Sequence, residues 1–368
     1  MKIEIPLQKL KDVISKTDRI AGKHATLPVL SCILIEFGNN NAVFKATNLD
    51  VGIEISVPVK SIGEGTVAIP AHTISSFVSQ LPNQGSVVTI ELENNNIRIS
   101  TPQSQGIIKS VPFDDFPSIP KVVDGQEFEM KADVISKGLK SVWYSASISS
   151  IKPELSSVYL FREGEYVTFV ATDSFRLAEK KVKAPTAAKL NDILIPFKNI
   201  ADILRVIENI DNNIKVKSSK NLISFSDGNT YVVSRVIDGV FPDYHQIVPK
   251  NFITEAVVLK QDFINAIKIS NVFSDKFNQI KIVIDPKKKI FEIQTKNSDV
   301  GENITSVPAA LTGERIEVNF NYKYVADCFQ SIDADSVSLQ LSGLNKPMVI
   351  RPVSGDQSFM YIAMPMNR

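Results

Sequence analysis

Histidine, cysteine and tryptophan are scarce in this chain of 368 residues, at three, two and one. The first two scarcities exclude much chemistry. His24, His72 and His245 do not stand at metal-ligand spacing, and Cys32 and Cys328 are too far apart to form a zinc motif. Both cysteines lie in apolar patterns, as small buried hydrophobes of a reducing compartment do. Glycine-rich phosphate loops are missing, with neither GxGxxG nor GxxxxGK(S/T) in the chain. Carboxylates are scattered, and the notable pair, Asp114-Asp115, reads as a solvated turn before Phe116-Pro117. No apolar run approaches the ~20 residues that a membrane span needs. The opening Met1-Lys2-Ile3-Glu4-Ile5-Pro6 has no apolar signal core. An excess of one charge is also lacking, with 41 Lys and Arg against 40 Asp and Glu. That balance excludes a chain basic all over, but not one basic face opposite an acidic one. Without a nucleophile, base or metal constellation, the expectation is a cytoplasmic scaffold or binder with no metal site.

What is present is an internal repeat, spaced by about 125 residues. Val67-Ala68-Ile69-Pro70 precedes Ile74, Phe77, Val78 and Leu81. Ile193-Leu194-Ile195-Pro196 precedes Ile200, Ile203, Leu204 and Ile207, and Ile316-Glu317-Val318 precedes Val325, Cys328, Phe329 and Ile332. Each is a short strand feeding a helix with apolar residues at i, i+3, i+4 and i+7. Pro70 and Pro196 are expected in the first helical turn, where a missing N–H costs nothing, with Asn321 in that place in the third copy. A second helix recurs near each repeat start, marked by Leu7, Leu10 and Ile14, by Ile135, Leu139 and Val142, and by Phe263, Ile267 and Phe273. Alternating strands and turn tips such as Asn94-Asn95-Asn96 and Asp227-Gly228-Asn229 fill the rest. The fold class is α+β: three tandem copies of one domain, each with two helices on antiparallel sheets of about eight strands. Pro-bracketed linkers at Phe116–Pro120 and Phe241–Pro249 close the first two copies. The bounds are 1–122, 123–250 and 251–368, read as separate domains and not as units of one solenoid core.

Ala171-Thr172-Asp173-Ser174-Phe175-Arg176-Leu177-Ala178 stands out. An apolar run, Tyr166 to Val170, leads in and an alternating run leads out, so it reads as a hairpin turn. It holds no Gly, Pro or Asn, although turns favour residues that tolerate φ > 0. Such a turn is either buried against a neighbour or shaped to hold something. Thr47-Asn48-Leu49-Asp50 looks equivalent in the first copy.

The tripled domain and a series of motifs, in their order and spacing, resemble one family over the whole chain. The motifs are Thr26-Leu27-Pro28-Val29-Leu30, Ala171-Thr172-Asp173 with Arg176-Leu177-Ala178, Asp238-Gly239, Phe241-Pro242-Asp243-Tyr244, Val248-Pro249-Lys250-Asn251 and Tyr361-Ile362-Ala363-Met364-Pro365-Met366. They look like the bacterial DNA polymerase III β subunits, the replicative sliding clamps. The resemblance implies a non-catalytic homodimeric ring of the DNA-clamp fold, with no cofactor, around double-stranded DNA, gripping it without regard to sequence. It implies tethering of the polymerase III catalytic subunit, and docking of the clamp loader and other partners through Gln-Leu-x-Leu-Phe-like peptides.

Site residues follow from the same resemblance. The partner-peptide pocket would be formed by Leu155, Thr172, Ser174, Phe175, Arg176, Leu177, Pro242, Ile247, Ile362, Met364, Pro365 and Met366, with Asn321, Tyr324 and Pro347 at its rim. Phosphate contacts supply affinity without sequence information, so Lys and Arg on equivalent helices and their adjoining loops, with one loop histidine, are the DNA candidates. They are Lys9, Lys16, Arg19, Lys23 and His24, then Lys137, Lys140 and Lys152, then Lys198 and Arg205. The dimer contact would pair Ile107, Ile108 and Lys109 with a third-domain edge near Val272 and Phe273. The chain departs from the family pattern at Ser174-Phe175, where Gly-His is common, at Gln246, where an arginine is frequent, and at Gly106, where some members carry a bulky residue. The competing reading is a clamp-like peptide-binding scaffold or regulator that does not close on DNA.

Overall fold

The computed structural model describes residues 2–22, 27–82, 87–184 and 190–366. Six α-helices occur among them: α1 (Leu7–Ile20), α2 (Ala71–Gln80), α3 (Ala132–Val142), α4 (Phe197–Ile207), α5 (Lys260–Asn271) and α6 (Tyr322–Asp327). They fall two to a repeat, as the periodicity predicts. Helix α1 shows why: Leu7, Leu10, Val13, Ile14 and Ile20 are buried on one stripe while Gln8, Lys9, Asp12 and Arg19 face out. Each fully buried aliphatic of that stripe contributes about 1.5–3 kcal/mol. Buried Thr17 is satisfied, its hydroxyl donating to the Val13 carbonyl at 2.8 Å.

Three local expectations are corrected. Pro70 lies just before α2 as its cap and Pro196 ends the strand Ile193–Pro196, so neither is inside the first turn. Helix α6 is only six residues long and continues as a 3₁₀ turn, Cys328–Ser331. Phe273 lies past the end of α5 and is only partly buried; Ala266 and Ser270 take the inward positions instead.

The chain divides into two compact units. One runs to Ser136 and takes in Lys198–Val236; the other starts at Lys137, takes in Asp192–Phe197 and continues from Ile237. The first unit holds an antiparallel five-stranded sheet ending at the edge strand Gln105–Ile108, and an eight-stranded sheet. The eight-stranded sheet is continuous because Thr230–Arg235 pairs with Val51–Pro58, Val233 opposite Gly52. The second unit holds a nine-stranded sheet, continuous through the pairing of Arg176–Lys183 with Phe359–Ala363, and a four-stranded sheet ending at the edge strand Gly301–Ser306. Sheets therefore run across the repeat boundaries. Strands that would be exposed edges of one repeat are paired by the next, which satisfies their backbone groups. Cys32 and Cys328 are buried and unpaired, and burial raises the pKa of both thiols.

Candidate functional site

The site grows from the turn between the strands Tyr166–Thr172 and Arg176–Lys183. Its own side chains close it. The Thr172 hydroxyl donates to the Arg176 carbonyl at 2.7 Å and accepts from the Ser174 N–H at 3.2 Å. Asp173 Oδ1 accepts from the N–H groups of Phe175 and Arg176 at 2.9 and 3.0 Å. These bonds hold Ser174 at φ +76°, a left-handed conformation that glycine would adopt without steric cost. The absence of turn-forming residues in the sequence thus does not mean an absence of positive φ. Threonine and aspartate side chains enforce it.

Arg176 locks this turn to helix α6. Its Nε donates to Asp173 Oδ2 at 3.0 Å, Nη1 donates to Asp327 Oδ2, and Nη2 donates to the Tyr144 carbonyl at 2.7 Å. The guanidinium lies 4.8 Å from the centroid of the Tyr324 ring. Burial works against its charge, but Tyr361, Asp327 and Asp173 more than offset this and its pKa lies above the ordinary value. Only 11% of the side chain is exposed, so Arg176 is a structural clamp and not a cation offered to a ligand. Phe175 does reach solvent, 60% exposed, and stacks on Tyr324 with ring centroids 6.2 Å apart.

The chain end is tied to the same turn. Leu177 pairs with Ile362 across the sheet, the Met364 N–H donates to the Phe175 carbonyl at 2.8 Å, and the Met366 N–H donates to the Asn319 carbonyl at 2.8 Å. Met364, Pro365 and Met366 are therefore ordered and half-buried. Pro347 precedes Met348, the partner of Ala363, so it stands at the same end of the sheet. Asn321 caps α6, its side chain accepting from the Lys323 N–H at 3.0 Å. Beneath lies an apolar cluster of Val170, Leu177, Phe241, Tyr244 and Ile362. The Tyr244 hydroxyl donates to Glu179 Oε2 at 2.5 Å and fixes the short 3₁₀ turn that carries exposed Ile247.

The fifteen residues expected at a peptide pocket separate by exposure into three groups. Leu155, Thr172, Leu177, Pro347 and Ile362 are buried, too deep for contact with a ligand in this conformation. Ser174, Phe175, Pro242, Ile247 and the terminal Met-Pro-Met reach the surface. Arg176, Asn321 and Tyr324 lie between. An apolar surface with few polar groups and two methionines suits an anchored peptide. Among the described residues no group of three or more His, Cys, Asp or Glu could hold a metal.

Comparison with known proteins decides the relationship. Models of the DNA polymerase III beta subunit match in chain order: the N-terminal domain over residues 1–120, the central domain over 129–243 and the C-terminal domain over 245–367. The chain belongs to the DNA polymerase III beta subunit family. It is 27% identical to the beta sliding clamp of Synechococcus elongatus, over 100% of this chain and 99% of that one. It is 23% identical to the beta sliding clamp of Staphylococcus aureus, over 96% of each. The crystal structure of the Thermotoga maritima beta subunit superposes with a TM-score of 0.94 at 25% identity, covering 100% of this chain and 99% of that one. A Pseudomonas aeruginosa sliding clamp bound to griselimycin superposes with a TM-score of 0.93 at 22% identity, over 100% of both chains.

The basic candidates differ in availability. Lys9, Arg19, Lys198 and Arg205 are exposed in the first unit. Arg205 donates to the Ser15 hydroxyl at 2.9 Å, Arg19 lies 3.7 Å from Asp202, and Lys198 pairs with Asp50 at 2.5 Å. Lys16 is a correction. It is buried along α1 and held by Asp12 at 2.8 Å one turn away, which withdraws it from a nucleic-acid surface. Lys137, Lys140 and Lys152 are exposed in the second unit, Lys137 lying 3.6 Å from Asp356. Lys23 and His24 lie outside the described residues. The neutralising carboxylates Asp50 and Asp202 carried no signal in the sequence, because they meet their partners only in the folded chain.

At the candidate assembly edges, Ile107 projects from the edge strand and is 56% exposed, whereas Ile108 turns into the core and Lys109 follows the strand's end. Only Ile107 of the apolar pair can meet a partner there. Gly106 is covered by the Phe77 ring, which comes within 3.0 Å of where a Cβ would stand. The bulk absent at residue 106 is thus supplied by Phe77, a residue that read only as part of the α2 stripe. In the second unit, Val272 and partly buried Phe273 lie past α5, and Ile304 is exposed on the edge strand Gly301–Ser306.

Proposed function

We infer that the chain is a DNA sliding clamp. Two copies close into a ring around duplex DNA and tether the replicative polymerase and other DNA-processing partners, which confers processivity. The observation that carries this is the tiling of the whole chain by the three beta-subunit domains in order. We assign the domain bounds 1–122, 123–250 and 251–368, supported by the helix pair in each. The protein acts without catalysis in the cytoplasm; no helix among the described residues is long and apolar enough to cross a membrane.

Partner peptides dock on Phe175, Pro242, Ile247, Met364, Pro365 and Met366, above the buried floor at Leu177 and Ile362. The bond from the Met364 N–H to the Phe175 carbonyl, which ties the terminal segment to the turn, supports this reading, as does the griselimycin-bound clamp of P. aeruginosa. DNA is held by phosphate contacts from Lys9, Arg19, Lys137, Lys140, Lys152, Lys198 and Arg205. The ring closes head to tail, edge strand to edge strand, with Ile107 against Val272 and Phe273. The test is topological. Protein loaded on closed circular DNA should stay bound through gel filtration and be lost once the circle is cut. Equal retention on linear and circular DNA would overturn the assignment.

A further inference from the structure

The turn that supports the peptide site has a replica in the first unit. The Thr47 hydroxyl donates to the Val51 carbonyl at 2.9 Å and accepts from the Leu49 N–H at 3.0 Å. Asn48 Oδ1 accepts from the N–H groups of Asp50 and Val51 at 3.0 and 2.7 Å. Leu49 sits at φ +74°, where Ser174 sits at +76°. The Arg235 N–H donates to the Asp50 carbonyl at 2.9 Å, as the Met364 N–H does to Phe175. Hydrogen bond for hydrogen bond, Thr47–Val51 repeats Thr172–Arg176, and Arg235 stands where Met364 stands.

The surroundings are rebuilt with different side chains. A cavity of about 610 Å³ opens beside the turn, lined by Leu49, Pro117, Pro120, Asn221, Leu222 and Arg235 among others. Leu49 is 51% exposed at its tip. A bulky apolar residue in a left-handed conformation, facing water, is the wrong choice for a turn alone, since Gly or Asn would serve it without strain. Gly52 replaces Leu177 at the inner position, and Ile119 packs into the space, 2.9 Å from where a Cβ would be. Arg235 is exposed, and only its Nε is engaged, donating to the Leu49 carbonyl at 2.9 Å; its two terminal nitrogens make no hydrogen bond among the described residues. Asp50, the one carboxylate lining the cavity, is paired with Lys198.

We propose that this cavity is a second peptide-docking site, for an extended segment that sets an apolar side chain against Leu49, Pro117 and Leu222 and a neighbouring carboxylate on Arg235. The carboxylate requirement comes from charge. The cavity presents a guanidinium fork with two unengaged nitrogens, and its own acid is already neutralised. The proposal rests on the peptide-docking reading of the Thr172–Arg176 turn. It differs from that site in chemistry, offering a cation where the other offers methionine, so the two would select different segments.

The test uses the full chain and two peptides. The probe is fluorescein-labelled Gly-Ser-Leu-Phe-Asp-Leu-Gly-Ser, titrated with unlabelled Gln-Leu-Ser-Leu-Phe present in excess to fill the first site. One probe per chain should still bind. Leu49→Gly, which relieves the backbone, should weaken it at least fivefold, and Arg235→Glu at least tenfold, with Arg235→Lys recovering part. Removal of Met364 to Arg368 should leave it unchanged. No probe binding under excess competitor, or binding indifferent to both Leu49→Gly and Arg235→Glu, overturns the second site. Failure of Gln-Leu-Ser-Leu-Phe to bind anywhere would instead overturn the first, while the two variants still decide the second.

Discussion

The Arg176 guanidinium is held between the Tyr324 ring, 4.8 Å away, and the carboxylates of Asp173 and Asp327. One side chain thereby joins a hairpin turn to helix α6, while the backbone of the same turn, at the Phe175 carbonyl, holds the Met364 N–H. Replacing it by alanine leaves the Tyr144 carbonyl and Asp327 without a partner they now have. Loss of a largely buried, charge-assisted cluster costs about 3 kcal/mol. The Arg176→Ala protein should lose that amount of unfolding free energy, read as a lower midpoint in urea denaturation, together with weaker peptide binding. An unchanged midpoint would mean that the clamp contributes nothing.

The terminal Met364-Pro365-Met366, proposed as one side of the peptide site, lies past the sheet register, which ends at Ala363. Truncation before Met364 should therefore spare the fold. An apolar anchor that loses its wall gives up about 1.5–3 kcal/mol, or roughly one to two decades in affinity. Fluorescence titration of a Gln-Leu-x-Leu-Phe peptide measures it, and sedimentation should show the dimer intact. Wild-type affinity in the truncated protein would place the site elsewhere.

Ile107 and Phe273 are the apolar groups expected to meet when two chains close. Charging either one, as Ile107→Glu or Phe273→Glu, puts an unpaired carboxylate into a desolvated seam. Each variant should sediment as a folded monomer at micromolar concentration and fail to remain on circular DNA. A double variant that still dimerises would rule out this edge.

Asp356 accepts from the Lys180 ammonium at 2.5 Å. Burial raises the carboxyl pKa, but Lys180 and Ser358 outweigh it and hold it well below the ordinary range. Burial also lowers the pKa of Lys180, which Asp356 only partly restores. A carboxylate depressed in the folded state stabilises above its unfolded pKa, near 3.9, and loses that contribution as pH falls through the folded value. The stability gap between wild type and Asp356→Asn should be largest near neutral pH and shrink below about pH 4. Denaturation at pH 7 and pH 3 reads it directly; a gap independent of pH would show that the pair is not coupled to folding.

The sequence by itself determined the helix stripes, the threefold repeat and the family. These are local or periodic: Leu7, Leu10 and Ile14 lie on one face at any 3.6-residue helix, and motif order survives without coordinates. It also determined that Thr172, Arg176 and the terminal methionines belong together, though only through resemblance. What the tertiary structure alone decided is which of them touch solvent. Leu177 and Ile362 read like Phe175 and Met364, but strand pairing sends the first pair inward and leaves the second at the surface. Lys16 read like Lys9, until the burial of its helix face and Asp12 withdrew it. Gly106 read as a missing side chain, until Phe77 arrived from a helix distant in sequence to cover it. The likeness of two turns lay in plain view at Thr47 and Thr172, but the cavity beside the first turn depends on Asn221, Leu222 and Arg235. Leu222 and Arg235 stand on strands, and Asn221 just before one, more than a hundred positions away in the chain, and only the pairing of Val51–Pro58 with Thr230–Arg235 brings them there.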